Sequence, residues 1–242
     1  MNKKSRKLRM GVSFLILFCA FIYSKNSTEI NNYISKIIPI NYTYAYSIEN
    51  IPEYTDKEYI IINNNEPYFT EDDYTLKSFE KYSDLDLLGR CGVAYANVGI
   101  DTMPTIERGS IGMIKPTGWH TIKYDIVNGK YLYNRCHLIG YQLTGENANT
   151  QNFITCTRSM NTKGMLQFEN KVADYIKKTN NHVLYRVTPV FEGDNLLATG
   201  VEIEAYSIED NGQGIKFNVF VYNIEDGIII DYKTGDSRLA NK

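Results

Sequence analysis

The stretch NTKGMLQFENKVADYIKKTNN (161–181) constrains the fold more than any other part of the 242-residue chain. Met165, Phe168, Val172, Tyr175 and Ile176 recur at spacings of 3, 4, 3 and 1, which lines them along one side of a helix. Lys177 and Lys178 followed by Asn180 close it, with cations where the helix dipole ends negative. Around this one prominent helix the periodicity is that of strands. LDLLGRCGVAYANV (85–98) turns at Gly89 and enters a strand in which Val93, Tyr95 and Asn97 alternate with small residues. HVLYRVTPVF (182–191) and the segments 199–207, 215–223 and 227–232 follow as further strands. TIKYDIVNGKYLYNR (121–135) reads as a hairpin, because Asn128-Gly129 between Tyr/Ile-rich runs is a strong two-residue turn signal. ERGSIGMIKPTGW (107–119) and residues 144–152 read as loops. The expected class is α+β, a mainly antiparallel sheet with one principal helix. Twenty Tyr against one Trp suit such a half-polar, strand-rich scaffold.

The first nine residues, MNKKSRKLR, carry five cations and no acid, and Met10–Tyr23 is an apolar run. Fourteen residues at about 1.5 Å rise cover roughly 21 Å, short of a ~30 Å hydrocarbon core. Residues 1–24 therefore read as a secretory signal or, alternatively, an uncleaved N-terminal membrane anchor. Either places the rest of the chain outside the cytoplasm. Any membrane contact would run through that segment, and nothing in the sequence identifies a protein partner. Residues 25–80 read as an extension or spacer, with the principal domain over 81–242.

A formal net charge of -2 excludes the strongly basic class of nucleic-acid binders, and 43% hydrophobic content excludes disorder. The average hides a pattern. Residues 25–89 hold 5 basic and 12 acidic side chains, 90–190 hold 12 and 6, and 191–242 hold 4 and 10. A basic middle between acidic flanks suits an anionic substrate, as it also suits solvated faces.

The chain has three histidines, His120, His137 and His182. His137 ends a strand in YLYNRCHLIG, Asn152 opens NFITCTRSMN, and Asn161 and Glu169 follow on the helical segment. A strand-end His, a loop, then a helix bearing Asn and Glu is the layout of a ββα-metal motif. Beyond the leader the cysteines are Cys91, Cys136 and Cys156, enough for one disulfide with a thiol left over. Adjacent residues on a strand face opposite ways, so Cys136 and His137 cannot form a thiol–imidazole dyad. Cys156 with His182 lacks any supporting context.

NRCHLIGYQL (134–143) resembles the signature of the DNA/RNA non-specific endonuclease family, usually Asp-Arg-Gly-His, and the competence-type or secreted branch in particular. The similarity runs from about Leu85 to Tyr232 and includes ERGSIG (107–112), KPTGW (115–119) and FENKVADY (168–175). Asn134 and Cys136 depart from the usual Asp and Gly. The resemblance implies a ββα-metal (His-Me finger) fold and cleavage of DNA, with RNA as a further substrate, using Mg²⁺, or Mn²⁺ in its place. Carried over by position, it implies His137 as general base, Asn161 as the direct metal ligand and Glu169 as holder of the metal's waters. Arg108 would neutralise the phosphate, with Asn152, Asn134 and Arg135 supporting the site. Arg158, Lys163 and Arg186 are candidates for the phosphate track. A non-catalytic DNA-binding protein is the alternative reading.

Overall fold

The computed structural model of the protein describes residues 51–240. The expected leader and residues 25–50 of the expected spacer lie outside these residues. Among the described residues no helix is long and apolar enough to cross a membrane.

Six strands form one antiparallel sheet: β1 (Tyr59–Ile61), β2 (Phe79–Tyr82), β3 (Ala94–Val98), β6 (Val183–Val190), β7 (Gly200–Ser207) and β8 (Lys216–Tyr222). Their order is β1-β8-β7-β6-β3-β2. Strands β4 (Tyr133–His137) and β5 (Phe153–Thr157) pair separately, as do β9 (Ile228–Ile230) and β10 (Ser237–Leu239). A one-turn helix α1 (Tyr141–Thr144) follows β4, and a π-helical segment (Met160–Met165) runs directly into α2 (Leu166–Thr179). The α+β expectation is the observed class.

Period-two alternation decides which face of the sheet is greasy. Ala94, Ala96 and Val98 of β3 share a core with Val183, Tyr185 and Val187 of β6, Ile203 of β7 and Val219 of β8. Phe168, Val172, Ala173 and Ile176 of α2 pack into that core, with Cys136, Ile154 and Cys156 of the β4–β5 pair. Helix and hairpin thus lie on one face. Helix α2 ends where Asn180 turns left-handed (φ 58°) and its N–H bonds to the Ile176 carbonyl.

The other face carries Asn97, Arg186, Glu204 and Asn218, all buried. Segment 62–77 covers it through polar bonds: Asn97 Nδ2 donates to the Thr75 carbonyl (2.6 Å), Tyr68 N to Glu204 Oε1 (2.7 Å), and Asn218 Nδ2 to the Glu66 carbonyl (3.1 Å). Both edge strands, β1 and β2, also come from this region, so the 51–80 part of the expected spacer is built into the sheet. Side-chain to backbone bonds hold it rather than an apolar period, which is why it reads as a spacer in the sequence.

The 121–135 hairpin is narrower than expected. Its ladder shrinks to one bridge, Lys123 with Tyr131. A mirror-image two-residue turn needs positive φ at both Asn128 and Gly129; the left-handed positions are instead Gly129 (φ 75°) and Lys130 (φ 66°). The regular strand starts at Tyr133 and pairs with β5, His137 opposite Phe153.

Candidate active site

His137 closes β4, buried to 7% exposure with its ring tilted against Phe153. Residues 138–152 loop back to β5, and Asn152 fixes the start of that loop. Its Oδ1 accepts the Ile139 N–H (2.9 Å), its Nδ2 donates to the Ile139 carbonyl (3.0 Å), and its own carbonyl accepts the Leu138 N–H. The same loop presents the Asn147 carbonyl 3.0 Å from His137 Nε2. A carbonyl only accepts, so Nε2 carries the proton and Nδ1 keeps a lone pair. That lone pair faces Arg108, whose Nη2 donates to it at 3.2 Å. Burial, opposed by the Asn147 carbonyl and aided by the Arg108 charge, lowers the His137 pKa from 6.5 to about 4. The imidazole is therefore neutral at pH 7, with its basic nitrogen on the cleft side.

That cleft, about 410 Å³, is lined by Arg108, Arg135, His137, Asn161 and Glu169 together. Arg135 stacks on Trp119 (4.0 Å) while its Nε and Nη2 donate to the Ile114 and Gly112 carbonyls (2.5 and 3.0 Å). It thereby pins the irregular loop that carries Arg108. Asn161 projects from the π-helical segment, and no hydrogen bond occupies its side-chain amide. π turns widen the backbone by one residue and recur at functional sites. Two turns on, Glu169 is buried to 8% exposure. Its nearest donor is Gln142 Nε2 at 3.5 Å, and burial raises its pKa from 4.5 to about 7, against the lowering by Gln142 and Arg108. Gly140 makes room for it, since a Cβ there would come within 2.2 Å of Glu169 Oε2.

Among the described residues no group of three or more His, Cys, Asp and Glu side chains could hold a metal. What the cleft offers is the unbonded Asn161 amide and the under-bonded Glu169 carboxylate. That donor set fits a hard cation that keeps most of its own waters, and does not fit a caged transition metal.

Other sequence candidates lie apart from the cleft lining. Asn134 is on the face of β4 opposite His137, with its Nδ2 buried and unpaired. Arg158 is half-buried at the end of β5, and Lys163 is exposed on the π-helical segment. Arg186 is a correction. At 2% exposure it lies on the far face of the sheet, bonded to both oxygens of Glu204 (2.6 and 2.9 Å) and set between Phe69 and Tyr95. A buried, fully paired guanidinium cannot track a phosphate chain. Conversely, Gln142 and Asn170 line the cleft and bond to each other at 3.0 Å. Both lie inside stretches that carry the resemblance, Gln142 in 134–143 and Asn170 in 168–175, which is their one sequence signal; the Asn147 carbonyl, being backbone, carries none.

Residues 70–209 match the family described as DNA/RNA non-specific endonuclease. The structure of NucA from Streptococcus agalactiae with a magnesium ion bound is similar with a TM-score of 0.70 at 25% identity, covering 80% of this chain and 93% of that one. NucA with no metal bound gives 0.69 at 26% identity, covering 80% and 92%. The Sda1 nuclease with a bound zinc ion gives 0.58 at 28% identity, covering 68% of this chain and 82% of that one.

Proposed function

Since the chain belongs to the DNA/RNA non-specific endonuclease family, whose members cleave nucleic acid with a metal, we propose that His137 is its general base and Mg²⁺ its metal, held by Asn161. The observation that carries this reading is the orientation of His137: Nε2–H tied to the Asn147 carbonyl, and the lone pair of Nδ1 turned to Arg108 on the side of the cleft that Asn161 and Glu169 also line. NucA binds magnesium in a similar fold, which supports the choice of ion.

A water lying against Nδ1 loses its proton to the imidazole as it attacks phosphorus, and the Asn147 carbonyl stabilises the imidazolium that forms. Arg108, which bonds to the same nitrogen in the free protein, transfers its N–H groups to the phosphate and stabilises the charge that develops there. When bound, Mg²⁺ supplies Lewis-acid stabilisation of the phosphate and of the leaving 3′ oxygen. Asn161 offers its amide oxygen to the cation, and the Glu169 carboxylate orients the hydration shell. Breakage of the bond to the 3′ oxygen leaves 5′-phosphate ends. The contacts are to backbone, so sequence preference is slight and both DNA and RNA are acceptable substrates. The basic-apolar leader over residues 1–24 supports action outside the cytoplasm.

The test is Mg²⁺-dependent cleavage of duplex DNA, single-stranded DNA and RNA by wild type, His137→Ala and Asn161→Ala. Both variants should lose at least 100-fold in rate while keeping the wild-type melting profile, the scale expected for removal of a base or a metal ligand. Near-normal cleavage by His137→Ala overturns the base assignment, and by Asn161→Ala the metal assignment.

A further inference from the structure

Asn161 lies between two fixed points, and both belong to β8 or to the loop that leaves it. The nearer one is a clamp of three consecutive residues. Asn223, fully buried, accepts the Thr157 N–H at Oδ1 (2.8 Å) and donates from Nδ2 to the Thr155 carbonyl (3.2 Å). The Ile224 carbonyl accepts the Thr157 hydroxyl (2.6 Å), whose oxygen in turn accepts the Met160 N–H (3.0 Å). Glu225 then accepts the Ser159 N–H at Oε2 (2.8 Å), with the Ser159 hydroxyl donating to Oε1 (3.4 Å). Ser159 is the residue from which the π-helical segment starts. N–H groups at a helix start lack an intrahelical acceptor, and a carboxylate there also meets the positive end of the dipole. The farther point is Gly164, where a Cβ would come within 2.4 Å of Val221 Cγ1, so the π-helical segment lies directly on β8. The β4–β5 pair shares no ladder with the six-stranded sheet, and these contacts tie the segment carrying Asn161 to that sheet.

We propose that Glu225 is a positioning residue for the metal site: by holding the Ser159 N–H and hydroxyl, its carboxylate sets the rotation with which the π-helical segment presents Asn161 to the cleft. The inference rests on the metal reading of Asn161 above and adds a residue that touches neither cation nor substrate. Asn161 follows Ser159 by two residues, and with its amide unbonded its aim is inherited from the backbone. A helical start that slips by one residue turns every later side chain by about a quarter of a turn. A metal ligand tolerates far less, about 0.5 Å and 10–20°. The role calls for an acceptor at the right reach, and a charge alone does not meet it. The Lys163 charge and the bonds to Ser159 both act on this carboxylate, against the burial that raises its pKa, so the test has to separate bond from charge.

The experiment is Mn²⁺ binding by the full-length chain, measured by calorimetry beside the melting temperature without metal. Glu225→Ala should raise the Mn²⁺ dissociation constant about tenfold, the scale of losing a group that orients a ligand. Glu225→Gln keeps the length and an acceptor oxygen for the Ser159 N–H, and should bind within about twofold of wild type. Glu225→Asp keeps the charge but stops one methylene short, and should fall between the two. It also provides the reading if Glu225→Ala does not fold. A lower melting temperature with the wild-type dissociation constant in Glu225→Ala and Glu225→Asp overturns the proposal, since the carboxylate would then serve stability alone. Weaker binding by Glu225→Gln than by Glu225→Asp overturns it too, because charge and not the bond would be the cause. Asn161→Ala separates this from failure of the functional reading. Wild-type Mn²⁺ affinity in Asn161→Ala overturns the metal assignment and this inference with it, whereas lost binding there beside unchanged affinity in Glu225→Ala overturns this inference alone.

Discussion

Two buried ionisable side chains face each other's chemistry in the cleft with their proton affinities displaced in opposite senses. Burial lowers His137 from 6.5 to about 4 and raises Glu169 from 4.5 to about 7. A depressed folded-state pKa contributes stability that is complete above pH 6.5 and lost as pH falls through about 4. A raised one contributes stability that is complete below pH 4.5 and lost as pH rises through about 7. Over the shared window the two slopes have opposite sign, so the metal-free wild type should show little pH dependence from these groups. Glu169→Gln removes one of them. Its stability relative to wild type should climb between pH 4.5 and 6.5, by at most about 1.4 kcal/mol per pH unit. Parallel wild-type and variant curves in denaturant titrations across that window would show that Glu169 does not hold its proton. Arg108→Ala gives the complementary reading by NMR: the His137 titration should move up from about 4 yet stop short of 6.5, because burial is the larger cause and remains.

The π-helical segment and the β4–β5 pair are the elements that turn a scaffold into a site. A two-stranded pair standing alone is marginal in water, and here Cys136 and Cys156 join the strands across the pair, with Cα atoms 5.9 Å apart at a sequence separation of 20. Closing a loop of that length removes unfolded-state entropy worth about 3 kcal/mol. Replacing both cysteines by Ala should therefore lower stability by about 2–4 kcal/mol in urea titration. Both are fully buried, so folded protein should yield thiols to dithiothreitol slowly and unfolded protein fast; equal rates would mean the bridge is not enclosed. Three cysteines in a sequence do not say which two pair, because that depends on strand register. His137, Asn161 and Glu169 were legible because their spacing is carried by one hairpin and one continuous helical run. Arg186 was not. A sequence shows that β6 alternates but not which set of alternate residues the helix covers, and only the packing of α2 on Val183, Tyr185 and Val187 sends Arg186 to the far face. The covering segment 62–77 escaped for a related reason, since Asn97, Glu204 and Asn218 hold it through polar bonds that leave no hydrophobic rhythm.

At the scale of the molecule, the cationic centre of the sequence is weaker toward a phosphate chain than its count of twelve basic residues suggests. Arg186 is spent on Glu204, Arg90 on Asp86 at 2.7 Å, and Lys130 on Asp125 at 3.1 Å. Arg135 is committed to the Gly112 and Ile114 carbonyls. Arg108 lines the cleft, and Arg158 and Lys163 stand on the segment that runs from β5 into the π-helical turn carrying Asn161. A protein that neutralises Z phosphates loses affinity with a log–log salt slope of about −0.9Z on duplex DNA. About three contacts give a slope between roughly −2 and −4, shallow for a protein that must let its product go. The measurement uses the cleavage-deficient His137→Ala variant, titrated with duplex DNA over a range of NaCl. Adding Lys163→Ala should flatten the slope by about one unit, the loss of one released counterion. Arg186 has to be tested with its partner, because removing it alone leaves a buried Glu204 charge uncompensated. Arg186→Met with Glu204→Gln keeps the pocket filled and the Tyr68 N–H bonded, and should leave the salt slope where it was. A slope that falls by a unit in that double variant would mean Arg186 reaches phosphate after all, and that the far face of the sheet, rather than the cleft alone, carries DNA.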